Sequence, residues 1–397
     1  MNRPFEGIRI LDFTRFFAGP FGTYQFALQG ADVIKIEPPE GEEYRHTQLS
    51  PEWAERGLAP AFVAVNGNKR SMTLDLKRPE ARALVERMVR DADIVWENFR
   101  PGVMERLGLG PARLREINPR LIYCAVSGFG QTGPEAGKAA FDGKIQAMSG
   151  IMSITGAPSD GPMRAGFAVC DLIGGLTAAF AVSAALYQRE LTGEGQLVDV
   201  SMLDSTLNVL AQHVTEYTMT GHVQRQYGNL SVTRKATADR FRCGDGYIVL
   251  AVLLEKQFAN LMRVLGREDV LADPRFADWA SRSENAAALR EIIEEGMREG
   301  TPAEWEERLT AADVPCSSIR SIDQITDDPQ VAHRELISTV PSAFGPMRLV
   351  GSGFRLAHGP GSVTRAPALP GEHTDEVLAE TGLDAGEIAE LRRAGVV

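Results

Sequence analysis

The sequence predicts an α/β protein built on a mostly parallel sheet. Over the first 130 residues, short apolar stretches alternate with longer amphipathic ones, and alternation at those lengths implies βαβ crossovers. Size agrees: 397 residues, 44% hydrophobic and 24% charged, suffice for a large core and more than one domain.

Residues 8–13 read as the first strand. Gly19-Pro20 open a helix, proline being tolerated in a first turn, that runs to Gln29 and stops at Gly30. Strands follow at 32–36 and 72–76. Pro79 opens the next helix, whose Leu84/Met88 and Val85/Val89 pairs fall at i,i+4. Strands at 94–96 and 121–126 complete the series. A nearly all-apolar helix at 172–188 is expected to be buried. Thr192 to Gly195 then turn the chain into a strand at 196–200, and a helix runs from Met202 to Met219. Residues 222–238 lack periodicity and read as a long loop, of the kind that serves function or links domains. Beyond it a strand at 247–252 and helices to about residue 320 form a smaller α/β unit. Proline and glycine rise from Thr339, before a short helix at 384–394.

Acidic residues outnumber basic ones, 53 to 42, for a net charge of −11. A field of that sign disfavours nucleic acid and anionic membranes as partners. Residues 1–6 lack the apolar core of a secretory signal. The longest uncharged apolar stretch, Leu172 to Tyr187, is shorter than the ~20 residues a bilayer requires. Cys124, Cys170, Cys243 and Cys316 lie far apart with no CxxC pair. A soluble, reduced, cytoplasmic protein is the expectation. The six histidines show no HxxxH and no His/Cys cluster, so no metal site is expected. No GxSxG elbow is present.

Gly128-Phe129-Gly130-Gln131-Thr132-Gly133 satisfies GxGxxG after a strand. A dinucleotide site needs a helix opening at the third glycine; Pro134 and Gly137 prevent one, so the segment reads as a loop. Asp171 is more informative, standing alone among apolar residues where the long helix begins, just before Gly174-Gly175. As an N-cap it would accept amide bonds from the first turn. As a functional carboxylate it would be held ionised by the helix dipole, with two glycines leaving room for a ligand. Both readings fit. Three candidate ligand segments fall at C-terminal strand ends, where open α/β sheets bind ligands: Phe16-Phe17-Ala18-Gly19, Leu74-Asp75-Leu76-Lys77 and Asn98-Phe99-Arg100-Pro101-Gly102. Asn68-Lys69-Arg70-Ser71, Arg106 and Lys138 could supply cations to a phosphorylated ligand, although such residues are mostly solvated surface charges.

Leu11-Asp12-Phe13-Thr14, Ala18-Gly19-Pro20, the run from Gly30 to Pro39, Asn68 to Ser71 and Glu97 to Gly102 resemble the class III (CaiB/BaiF, formyl-CoA-transferase-like) coenzyme A transferases. So do Ser127 to Pro134, Gln146 to Gly150, Gly195 to Asp204 and Gly371-Glu372-His373-Thr374-Asp375. The resemblance implies a Rossmann-like large domain over 1–200, a linker helix over 201–225, a smaller α/β domain over 226–330 and a C-terminal segment, 331–397, returning to the large domain. It also implies an interlocked homodimer. Asp171 would be the catalytic carboxylate, moving CoA from an acyl-CoA to a free carboxylic acid through an acyl-aspartyl anhydride and an aspartyl-CoA thioester. Phe17, Ala18, Leu74, Asp75, Leu76, Lys77, Asn98, Phe99, Arg100, Arg106 and Lys138 would line the site for CoA, a substrate; no prosthetic group is implied. Local cations such as Lys77, Arg106 and Lys138 would offset the acidic net charge.

The related α-methylacyl-CoA racemases pair this aspartate with a histidine directly before an aspartate. Here that dipeptide is Phe141-Asp142, and phenylalanine cannot move a proton, which disfavours racemisation. A non-catalytic acyl-CoA-binding protein is the other alternative, opposed by the intact Asp171 and its glycines. Against the oxalate-specific members, the chain has Phe17 for a glutamine and Pro38 for an arginine. It also lacks their glycine-rich run near Gly228-Asn229-Leu230-Ser231. Oxalate is therefore not the expected acid, and Phe16 with Phe17 predicts an apolar acyl pocket.

Overall fold

The computed structural model describes residues 3–47 and 49–397; Met1 and Asn2, part of the stretch read for a secretory signal, lie outside them. The chain divides into two compact units. One comprises residues 1–151, 164–223 and 330–397, the other 152–163 with 224–329.

The first unit carries β1 (Arg9–Asp12), α1 (Ala18–Leu28), β2 (Asp32–Glu37), β3 (Arg70–Thr73), α2 (Pro79–Val89), β4 (Ile94–Glu97) and α3 (Pro111–Ile117). It continues with β5 (Ile122–Ser127), α4 (Asp142–Ser149), α5 (Val169–Thr192), β6 (Leu197–Ser201), α6 (Met202–Val209) and α7 (Ala211–Thr220). The six strands are all parallel, in the order β3-β2-β1-β4-β5-β6. Strand order reverses between β1 and β4, so the crevice beyond their C-terminal ends is the place for a ligand. Successive side chains point to opposite faces and both faces are covered. Leu11, Val95 and Tyr123 meet α2 and the C-terminal Val377, Leu378 and Ile388. Ile10, Ile94 and Ile122 meet α1 and α5 on the other side. An antiparallel hairpin, Ile337–Val340 with Met347–Val350, and helices Thr374–Glu380 and Ala385–Arg393 bring the C-terminal segment onto this unit.

The third strand ends earlier than the expected 72–76. Its ladder runs from Ile34↔Arg70 to Glu37↔Thr73 and stops where β2 stops. Leu74 to Lys77 therefore lie past the sheet edge, where a ligand can reach them. The helix expected at 202–219 is two, α6 and α7, broken at Leu210.

α5 departs more from expectation. It is 24 residues long, and only 39% of its most apolar window is buried within the chain. Ala178 and Val182 face the sheet and α1, Gly175 abuts α1, and Gly174 abuts Met202 at the start of α6. Leu176, Phe180, Tyr187 and Leu191 are exposed. Gly175 is dictated by close approach: a Cβ there would stand 2.6 Å from the Ala18 carbonyl oxygen and 3.2 Å from the Gly22 nitrogen.

Lys69 and Arg70, read as possible ligand cations, are already paired. Lys69 is fully buried and donates to Asp12 Oδ2 (3.0 Å), the Pro20 carbonyl (3.0 Å) and Thr23 Oγ1 (2.8 Å). Arg70 binds Asp32, Glu376 and Glu380. Beside them, Lys35 pairs with Glu42 at 2.8 Å and Arg45 with Glu37 at 2.5 Å, all buried. Burial opposes ionisation of Asp12, but Lys69, Lys35 and the Thr14 and Thr23 hydroxyls outweigh it and hold its carboxyl below the usual range.

The second unit is a three-stranded antiparallel sheet, β7 (Arg240–Cys243), β8 (Gly246–Leu250) and β9 (Cys316–Ser318), in that order. Its core joins Phe241 and Ile248 to Phe258, Leu261, Leu289 and Trp305 from the covering helices. Residues 152–163 belong to it: Gln226 Nε2 donates to the Thr155 and Gly161 carbonyls.

Gly175→Ala is expected to destabilise the protein by about 1–3 kcal/mol, because backbone is what its methyl would strike. Gly137→Ala, where a Cβ meets nothing within 4 Å, should stay within about 0.5 kcal/mol. Urea unfolding of the two variants compares them directly.

Candidate active site

Two cavities open along the C-terminal edge of the parallel sheet. One, of about 340 Å³, is lined by Ala18, Asn98, Phe99, Arg100, Lys138 and Asp171, together with Arg15, Phe16, Glu43 and Phe141. The other, of about 480 Å³, is lined by Leu74, Asp75, Leu76, Lys77, Phe99 and Arg106, again with Arg15. Arg15 and Phe99 are common to both, so the two form one groove, with the Arg15 guanidinium 5.1 Å from the Phe99 ring centre. Of the eleven residues that the resemblance places at the CoA site, Phe17 alone lines neither cavity; Gly19, Gly102 and residues 68–71 of the wider candidate segments also lie off both. Phe17 precedes α1 and packs on Phe21 and Tyr44; Phe16 takes the place at the wall. Lys138 is exposed and pairs with Glu135 at 2.6 Å. The GxGxxG stretch is a loop, as expected.

Asp171 is not an N-cap. α5 begins at Val169 with Ala168 before it, which puts Asp171 at the third helical position. The cap comes from another helix: Asp142 Oδ1, at the start of α4, accepts the Cys170 N–H at 2.9 Å. Asp142 Oδ2 accepts from Gln146 Nε2 at 2.7 Å, and Gln146 Oε1 accepts the Ala165 N–H at 2.9 Å. Asp142 and Gln146 thus hold the approach to α5 at both ends of 165–170. The bond joins residues 28 apart in sequence, a separation with no local signature.

With its capping role taken, the Asp171 carboxyl has no hydrogen-bonding or ion-pair partner among the described residues. Burial, and then the nearby Asp142 charge, push it up to about 7; the helix N-terminus acts in the opposite direction. The expectation of a firmly ionised carboxylate therefore needs correction, because desolvation and a like charge dominate. An unpartnered carboxyl raised by its surroundings and facing a cavity is a chemically poised group.

The loops that wall the cavity are tied to one another. Asn98 Oδ1 accepts the Arg15 N–H at 2.8 Å, and its Nδ2 donates to the Arg15 carbonyl at 2.7 Å. Glu97 Oε2 accepts the Phe99 N–H at 2.7 Å. Burial pushes the Glu97 carboxyl up to about 8, against that amide bond. Phe16 adopts φ +64 and stands edge-on to Phe141, ring centres 5.5 Å apart, and to Tyr44 at 5.7 Å. Sequence reasoning did not pick out Arg15, Glu43 or Tyr44; only the folding back of two loops onto one strand end brings them together.

Comparison with known proteins places this chain in a family. The model for "CoA-transferase family III" matches residues 5–374. A succinyl-CoA–D-citramalate CoA-transferase of Chloroflexus aurantiacus is 34% identical over 403 residues, covering 100% of this chain and 98% of the relative. A succinate–glutarate CoA-transferase of Agrobacterium fabrum is 38% identical over 387 residues, 95% of each. The crystal structure of a CaiB/BaiF family protein from Brucella suis superposes with a TM-score of 0.88 at 34% identity, over 96% of this chain and 100% of that one.

A carboxyl raised in the folded state weighs against folding once it ionises, fully above its folded pKa and not at all below its unfolded one. Asp171→Asn should therefore stabilise the protein by about 2 kcal/mol at pH 8 and by clearly less at pH 5. Thermal melts at the two pH values measure this; equal shifts would mean that Asp171 is not destabilised by its surroundings.

Proposed function

The chain belongs to CoA-transferase family III, and on that premise we propose that Asp171 is the group through which CoA passes from an acyl-CoA to a free carboxylic acid. The supporting observation is the carboxyl itself: desolvated, unpaired and on the wall of a cavity that joins a second one carrying Lys77 and Arg106. The second cavity suits the phosphorylated nucleotide of CoA, and the first suits the thioester. Leu74 to Lys77, Phe99 and Arg106 would hold the nucleotide end. Ala18, Asn98, Arg100 and Lys138 would line the path to Asp171.

In the proposed cycle an Asp171 oxygen attacks the thioester carbonyl. The C–S bond breaks, CoA leaves as thiolate, and an acyl-aspartyl anhydride remains. The thiolate then attacks the Asp171 carboxyl carbon, freeing the donor acid and leaving an aspartyl-CoA thioester. The acceptor carboxylate attacks the same carbon, expels the thiolate and forms a second anhydride. The thiolate finally takes the new acyl group and restores the carboxylate. The anhydride keeps the activation of the thioester, so the exchange needs no other energy source. No net proton moves. Desolvation fits a nucleophile, since a carboxylate stripped of water attacks more readily. Phe141, which packs on Phe16, has no proton-accepting atom, in keeping with transfer over racemisation.

The exposed apolar side of α5, with Phe180 78% and Leu191 71% accessible, is large for an isolated chain. We propose that it is covered in a homodimer of the interlocked kind implied by the family resemblance. The four widely spaced free cysteines support a reducing, cytoplasmic setting for that dimer.

Hydroxylamine added during turnover should leave a hydroxamate on Asp171, found by peptide mass spectrometry. Asp171→Asn should lower kcat by at least about 10³-fold. Turnover without a trapped adduct would defeat the covalent route. For the dimer, Phe180→Asp with Leu191→Asp should shift sedimentation from two chains toward one; an unchanged wild-type and variant mass would place the contact elsewhere.

A further inference from the structure

We propose that the buried Lys35–Glu42 pair is a latch that fixes Phe16, and that Phe16 so fixed determines which acyl groups the cavity above Asp171 accepts. Glu42 is thereby a positioning residue and Phe16 a specificity-determining one. The inference rests on the reading of Asp171 as the acyl-accepting group.

Phe16 is held at φ +64, the left-handed region that is sterically strained for a residue with a Cβ. Such a conformation persists only where its surroundings impose it. Here each preceding residue is tied. The Thr14 carbonyl accepts from Lys35 Nζ at 2.8 Å, and Arg15 exchanges two bonds with Asn98. Glu42 Oε2 accepts the Phe16 N–H itself at 2.9 Å. The other oxygen of Glu42 stands 2.8 Å from Lys35 Nζ. One carboxylate thus accepts the Phe16 N–H, four residues past β1, and forms an ion pair with Lys35 on β2. Both side chains are at most 2% exposed, so water cannot take over either bond.

The consequence reaches the cavity. Phe16 lines it with Asp171, and its ring meets Phe141 edge-on at 5.5 Å and Tyr44 at 5.7 Å. Tyr44 lies two residues from Glu42, so one connection carries both the latch and a ring that packs on Phe16. Relaxation of Phe16 to negative φ would swing its ring out of the cavity wall. Glutamine cannot replace Glu42 fully. It has a single accepting end, so either the Phe16 N–H or the Lys35 ammonium would face an amide NH₂.

The test compares dissociation constants for CoA and for butyryl-CoA, measured by calorimetry on the full chain. An Asp171→Asn background keeps binding non-covalent. The parent should bind butyryl-CoA about tenfold more tightly than CoA, from burial of the acyl chain. Glu42→Gln and Phe16→Gly should each cut that preference about fivefold while changing the CoA value less than twofold. The combined variant should show no further loss. Fully additive losses, or an undiminished preference in Glu42→Gln, would overturn the latch, as would a parent with no acyl preference. Should Glu42→Gln fail to fold, Lys35→Met with Glu42→Leu removes the pair without leaving a lone buried charge, and the same comparison with Phe16→Gly decides. Hydroxylamine trapping fails separately if Asp171 is not the acyl acceptor, which distinguishes that failure from failure of the latch.

Discussion

The structure depends on a set of charges that the fold takes out of water beneath the ligand crevice. Asp12, Lys35, Glu37, Glu42, Arg45 and Lys69 are all buried, and burial of an ion is tolerated only where every charge is paired and hydrogen-bonded. The pairing is what joins the parts. Lys69 ties Asp12 to the first turn of α1 through the Pro20 carbonyl. Glu37 binds Arg45 and accepts from Ser71. Most of these bonds link a strand end to a connection, and Ser71 ties β3 to β2, so the loops above the sheet are fixed by electrostatics where a hydrophobic layer could not specify their geometry. Hydrophobic burial makes the sheet and its two covering layers. The ionic layer at its edge decides how the loops lie.

Above that layer the balance is reversed. Asp171 is half-buried on a cavity wall and lacks the partners of the charges below it, and Asp142, which supplies the helix cap, adds a like charge nearby. Local destabilisation of this kind is common where function rather than stability sets the residue. At a single helix start two carboxylates thus differ: Asp142 satisfies the backbone, and Asp171 is left without a partner among the described residues. Glu97, buried under the loop that carries Asn98 and Phe99, is likewise pushed upward by burial.

Much of this was legible in the chain. The alternation of strand and helix gave the parallel sheet, because β4 and β5 are buried on both faces and read as nearly continuous apolar runs. The strand-end segments at 74–77 and 98–100 line the two cavities, since the C-terminal edge of a parallel sheet is a property of topology. Lys69 and Arg70 misled for a physical reason: composition cannot tell a solvated cation from one that meets an acid distant in sequence. Phe17 misled because a turn of one residue moves a side chain from the cavity wall to the back of it, and the left-handed Phe16 makes that turn.

Taken alone, the sequence determined the layered α/β architecture, the family resemblance and the singular position of Asp171. These rest on local pattern: hydrophobic period, helix breakers, and one charge in an apolar run. The tertiary structure decided that Asp142 caps α5, that Asp171 is left unpaired and raised, and that Glu42 holds Phe16 in place. Each of those depends on contacts between residues far apart in the chain, or on burial, which removes water and so makes a neighbour's charge matter. Neither distance nor dielectric is written in the order of the residues.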